Sequence, residues 1–152
     1  MKKFKFKYES ILTLRQNAED DIKNDLAKLI SKRQMAIDSL EDFENRQQAY
    51  GDDISEMMKR GCSATQLKNI EKGKAYYRKH IHRIKADIEI FNKNIAETQL
   101  LLLEAVKSRK IMEKVKENEY QKFIDNVNHE ENKVIEEIVN YKNNKRGEGL
   151  NG

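Results

Sequence analysis

The sequence predicts an all-α fold, a two-helix antiparallel coiled-coil hairpin with the second helix the longer. Three observations predict it. Proline is absent from all 152 residues, and apolar residues make up only 38% while charged residues reach 37%. A compact core needs about 45–50% apolar residues, whereas a thin seam between long helices needs fewer. Apolar side chains recur at alternating spacings of four and three along most of the chain, and that rhythm is interrupted once by a turn signal. At this length the chain makes a single domain.

The first helix reads Tyr8, Leu12, Arg15, Glu19, Ile22, Leu26, Leu29, Arg33, Ala36, Leu40, Phe43, Gln47, Tyr50, Ile54 and Met57. A mean period of 3.5 is the signature of a left-handed coiled coil. Gly51 falls inside the run as a soft point, at about 1 kcal/mol relative to Ala. This places helix one over about 8–60. Lys59 and Arg60 suit the negative end of a helix, and Gly61 suits the left-handed turn beyond it. Ser63, followed three residues later by Gln66, fits a capping box. A turn over about 61–63 forces the two helices to run antiparallel and side by side.

Helix two, over about 64–143, carries Leu67, Ile70, Lys74, Tyr77, Ile81, Ile84, Ile88, Phe91, Ile95, Thr98, Leu102, Ala105, Arg109 and Met112. It continues through Lys116 to Tyr120, Ile124, Val127, Glu131, Val134, Ile138 and Tyr141. Met112, Lys116 and Tyr120 are spaced four and four, a stutter that locally unwinds a supercoil. Tyr8 reflected through the turn lands near residue 116, so the stutter marks where helix one runs out. Residues from about 117 to 143 are therefore expected to overhang, with an apolar stripe lacking an intramolecular partner. Residues 144–152 read as a disordered tail.

Thirty Lys and Arg against 26 Asp and Glu leave a formal +4, which gives no strong argument for nucleic acid. The charge is uneven. Residues 59–93 hold ten basic and three acidic side chains, and residues 113–137 hold eight acidic and four basic. One cysteine, Cys62, excludes an internal disulfide and fits a reducing compartment. No stretch approaches a membrane span, and the basic start lacks the apolar block of a signal peptide, so a cytoplasmic location is expected.

Little here carries catalytic chemistry, so no enzyme and no cofactor are expected. His80 and His82, two apart on a helix, point in opposing directions and cannot share a metal. His129 lacks a second histidine four residues away, Cys62 lacks an activating neighbour, and no glycine-rich phosphate loop exists. Tyr76, Tyr77, Arg78, Lys79, His80, His82, Arg83 and Lys85 interleave aromatics with bases, as single-strand binders do. An RNA-binding basic hairpin is thus one alternative function, though Tyr77, Ile81 and Ile84 fall on the seam and no nucleic acid is expected. A self-associating coiled coil, pairing the stripe from Tyr120 to Tyr141 between copies, is another.

The leader Phe4-Lys-Phe6-Lys-Tyr8, followed by Ile11-Leu12, Leu14-Arg15, Glu19 and Leu26-Ala27, resembles the opening of the flagellar export protein FliJ family. The turn region Gly61-Cys-Ser63-Ala-Thr-Gln-Leu67, with Ile70 and Tyr77, also resembles that family's. The likeness spans nearly the whole chain in length and helix layout. The stalk protein of virulence type III secretion has a similar architecture.

This resemblance implies a soluble, chaperone-like stalk of the flagellar type III export apparatus. Such a stalk would sit in the pore of the hexameric export ATPase at the inner face of the cell membrane, promote ring assembly, contact the cytoplasmic domain of the export gate, and handle export chaperones. Carried over, it implies gate contact through Phe43, Arg46, Tyr50, Tyr77, His80 and Ile84. Ser39 and Gly73 also match by position; Phe43, Tyr50 and Tyr77 keep the expected aromatic or large apolar character, whereas Ser39, Arg46, Gly73, His80 and Ile84 depart from it. ATPase contact is expected through Phe4, Phe6, Leu12, Arg15, Tyr120, Ile124 and Val127. Phe43, Tyr50, Tyr77 and Ile84 also fit intramolecular seam packing, and Phe4 and Phe6 could fold back over the helix end.

Overall fold

The computed structural model describes residues 2–150, and the fold is all-α. Helix α1 runs Glu9–Arg60 and helix α2 runs Ala64–Leu150, so the second is the longer. The first turn of α1 carries the acidic Glu9 and its last turn Lys59 and Arg60, each charge opposing the helix dipole. Gly61 follows with φ 91°, a left-handed conformation that costs about 1–2 kcal/mol for a residue bearing a Cβ. Its amide donates to the Met58 carbonyl at 3.3 Å.

The predicted capping box forms reciprocally. The Gln66 amide donates to Ser63 Oγ at 3.2 Å, and the Ser63 amide donates to Gln66 Oε1 at 2.9 Å. Two otherwise orphaned donors at the start of α2 are thereby satisfied. Gly51 lies within α1 without ending it.

The chain divides into two compact units, one of Ala18–Glu104 and one of Met1–Asn17 with Ala105–Gly152. In the first, α1 and α2 pack antiparallel. Arg33 donates to Asn92 Oδ1 at 3.1 Å, Phe43 meets His80, and Tyr50 meets Tyr77, so higher positions on one helix face lower positions on the other. Ile54, Ile70, Ile81 and Ile95 are its buried hydrophobic core, all on the predicted seam. Glu19, also on the seam, is buried and pairs with Lys23 at 3.0 Å. Gln47 and Lys74 share the predicted spacing but are exposed.

The second unit is also antiparallel. Arg15 donates to the Ser108 carbonyl at 2.8 Å, and Glu9 pairs with Lys116 at 2.9 Å. Leu12 is its buried hydrophobic residue. The first turn of α1 therefore faces the stutter at Lys116, where the spacing places it. Among the described residues no side chain is wholly enclosed, because a seam between two helices leaves one flank of every residue near water.

Two boundaries differ from the sequence reading. The stripe from residue 117 is not bare, since the leader packs Phe4 on Tyr120 and Phe123 of α2, and Lys2 borders a groove that runs from Phe123 to Ile135. The uncovered helix begins near residue 128, and every residue from there to 149 is exposed. Residues 144–150, expected as part of a disordered tail, continue α2. Extending an existing helix adds a hydrogen bond for each residue fixed, and no proline interrupts it. Residues 151 and 152 lie outside the described residues.

Candidate functional site

In the Ala18–Glu104 unit, aromatic rings gather where the isoleucine seam opens. The Phe43 ring stacks on His80 with centroids 5.4 Å apart and planes 6° from parallel. The Arg46 guanidinium lies 5.7 Å from the Phe43 centroid and also pairs with Asp42 at 3.1 Å. Tyr50 packs against Tyr77 at 5.4 Å and donates its hydroxyl to the Ile70 carbonyl at 3.3 Å. Gly73 makes this placement possible, because a Cβ there would overlap the Tyr50 hydroxyl and ring.

Tyr76 closes the group, edge-on to Tyr77 at 5.4 Å and tilted over His80 at 4.4 Å. Residues four apart on a helix are surface neighbours, which brings Tyr76 onto His80. The cluster joins five rings, and Tyr76, 51% exposed, presents most of its surface outward. Phe43, Arg46, Tyr50, Tyr77 and His80 are thus brought together. Ile84 is half-buried one turn beyond His80, and Ser39 is half-buried one turn before Phe43. Tyr76 was missed as part of this surface because it falls off the four-three seam; its spacing of four from His80 was the available signal.

In the other unit the leader supplies a second surface. Phe4 sits edge-on to Tyr120 at 5.2 Å and tilted against Phe123 at 5.6 Å. Phe6 lies edge-on to Tyr8 at 5.9 Å, with the Lys116 ammonium 5.9 Å from its centroid. Lysines 3, 5 and 7 alternate with these rings and are exposed. Beyond Phe4, Lys2 borders an apolar groove floored by Phe123, Ile124, Val127 and Val134 and flanked by Glu130 and Glu131. Basic leader and acidic flank are electrostatically matched.

Leu12 and Arg15 do not belong to this surface. Leu12 is buried in the unit's interior, and Arg15 is half-buried with its guanidinium held by the Ser108 carbonyl. Phe123 was missed by the sequence reading because it is off the predicted seam, and only the position of Phe4 recruits it.

A model of the family described as "Flagellar FliJ protein" matches residues 4–148. The chain belongs to the FliJ family. No curated protein and no solved structure matches it. Membership makes this FliJ-family chain a component of the flagellar export apparatus, and the family is a structural and export component.

Several other features of this FliJ-family chain have plain structural roles. No helix among the described residues is long and apolar enough to cross a membrane. Among the described residues no group of three His, Cys, Asp or Glu side chains converges in a way that would hold a metal. Cys62 is a free, half-buried thiol in the interhelical turn. Of the residues that gave the RNA alternative its aromatic character, Tyr77 packs on Tyr50 while Tyr76 packs on Tyr77 and His80.

Proposed function

We propose that this FliJ-family chain is the stalk of the flagellar type III export machinery. In this reading it enters the pore of the hexameric export ATPase, promotes ring assembly, and links the ring to the cytoplasmic domain of the export gate. It also receives export chaperones released there. It works in the cytoplasm at the flagellar base, reaching the membrane only through its partners.

The observation that supports this most is the pairing of two half-open aromatic surfaces with a frame too thin to hold a catalytic pocket. The leader surface, built on Phe4, Phe6, Tyr120, Ile124 and Val127, is the ATPase contact. Leu12 and Arg15 act there by holding α1 against α2. The cluster of Phe43, Arg46, Tyr50, Tyr77 and His80, with Ile84 beside it, is the gate contact. Half-exposed aromatics and arginine are the residue types that dominate binding energy at protein interfaces.

Addition of the full chain to purified export ATPase tests the proposal. ATP turnover and the fraction assembled into rings should both rise, and the Ile124→Asp/Val127→Asp variant should lose most of that increase. Unchanged turnover and assembly with the wild-type chain would overturn the stalk reading.

A further inference from the structure

On the outer side of α2, within the Ala18–Glu104 unit, Lys68, Lys72, Tyr76, Lys79 and Arg83 follow one another at spacings of four, four, three and four. At 3.6 residues per turn they share an arc of about 80° and run about 22 Å along the axis. They lie on the side away from the buried Ile70 and Ile81, and all five are exposed. The stripe has the rhythm of a helix-packing seam, with charge where a seam carries apolar residues.

The charges on it are uncompensated. Elsewhere a base pairs with an acid four residues away, as Lys23 does with Glu19, Arg46 with Asp42 and Arg109 with Glu113. Here the residue at that spacing is another base: Lys68 stands four before Lys72, and Lys79 four before Arg83. Like charges so placed destabilise a helix. Among the described residues none of the four has an ion-pair partner, and the neighbouring Glu71 pairs with Lys74, off the stripe. Tyr76 lies midway between the two pairs of bases, its ring held by Tyr77 and His80.

We infer that this stripe docks an acidic helix of a partner protein. Two pairs of carboxylates meet Lys68 with Lys72 and Lys79 with Arg83, and an apolar side chain packs on Tyr76 between them. Docking turns two like-charge repulsions into four opposite-charge contacts around an aromatic anchor. The geometry favours a helix over a broader polyanion. A helix is about 10–12 Å across and covers the stripe alone. A lipid surface or a nucleic acid would also press its phosphates on Glu71 and Asp87, exposed acids that border the stripe on either side. Through Tyr76 the stripe adjoins the proposed gate contact. Its four bases belong to neither proposed contact, and a test without ATPase or gate leaves the stalk reading untouched.

Fluorescence anisotropy of the full chain with a labelled, designed helical peptide of about 20 residues tests this. The acidic probe carries two pairs of glutamates, each pair four residues apart, on either side of a leucine. A control peptide carries lysines in place of the glutamates. At physiological salt the chain should bind the acidic probe at least about tenfold more tightly than the control. Lys72→Glu/Lys79→Glu should abolish that preference, and Tyr76→Ala should weaken the acidic probe several-fold. The double variant should melt no lower than the parent, because it replaces like-charge pairs with opposite-charge ones. No preference for the acidic probe, or a preference that survives the double substitution, overturns the proposal. A lower melting temperature would show that these bases have partners within the chain, and overturns it as well. So does tighter binding of a single-stranded RNA or of phosphatidylglycerol vesicles than of the acidic probe, which would make the stripe a phosphate site.

Discussion

The two units use the same helices and cover them differently. In Ala18–Glu104, helix packs on helix throughout, and isoleucines from both strands of the seam exclude water in turn. In the other unit, α2 is met first by α1, then by a leader of alternating lysine and phenylalanine, and its last turns are exposed among the described residues. Burial follows this order. Ile54, Ile70, Ile81 and Ile95 are nearly inaccessible, Phe123, Ile124 and Val127 are half-covered, and Val134 to Tyr141 are open. Apolar periodicity is present in all three stretches. The difference shows that a seam pattern states which face can be buried, while the length and course of the opposing chain decide whether it is.

The largest test of that contrast is truncation of the sealed seam. Ile81→Ala or Ile95→Ala should cost about 2–5 kcal/mol, read from chemical denaturation, since each removes a buried side chain. Next comes the aromatic opening in the same unit. Gly73→Ala should cost about 1–3 kcal/mol by displacing the Tyr50 ring, in spite of alanine's better helix propensity. In a Tyr50→Ala background the same change should become neutral or stabilising by up to about 1 kcal/mol, because the overlap is gone. An equal cost in both backgrounds would show that the fit between Tyr50 and Gly73 does not constrain the site.

A smaller effect is expected from the leader. Phe4→Ala removes two ring contacts worth about 0.5–1.5 kcal/mol each, and proteolysis should reach residues 2–8 well before any loss of helix content. The smallest belongs to the open stripe. At concentrations where the protein is monomeric, Val134→Asp should change unfolding stability by no more than about 0.5 kcal/mol, since the side chain is already in water. A cost there approaching that of Ile81→Ala would erase the distinction between the two units.

The helices themselves were legible because their signals are local. Leu12, Ile54, Ile70, Ile81 and Ile95 all occupy the four-three rhythm, and the pairing of Ser63 with Gln66 announces its own hydrogen bonds three residues apart. The aromatic cluster was legible in part. Phe43, Tyr50 and Tyr77 are on the rhythm, but Tyr76 is not, and the role of Gly73 exists only once Tyr50 is placed across from it. The leader's course was the least legible. Its backbone has no helical period, and its position rests on ring contacts between residue 4 and residues 120 and 123.

By itself the sequence determined that two helices form, where the chain turns, and which face of each is apolar. These follow from interactions within a few residues: backbone hydrogen bonds, caps and side-chain period. Only the tertiary structure decided how far α2 is covered and which rings converge. Those outcomes depend on contacts across about a hundred residues of chain, and such contacts are set by packing geometry that no local pattern encodes.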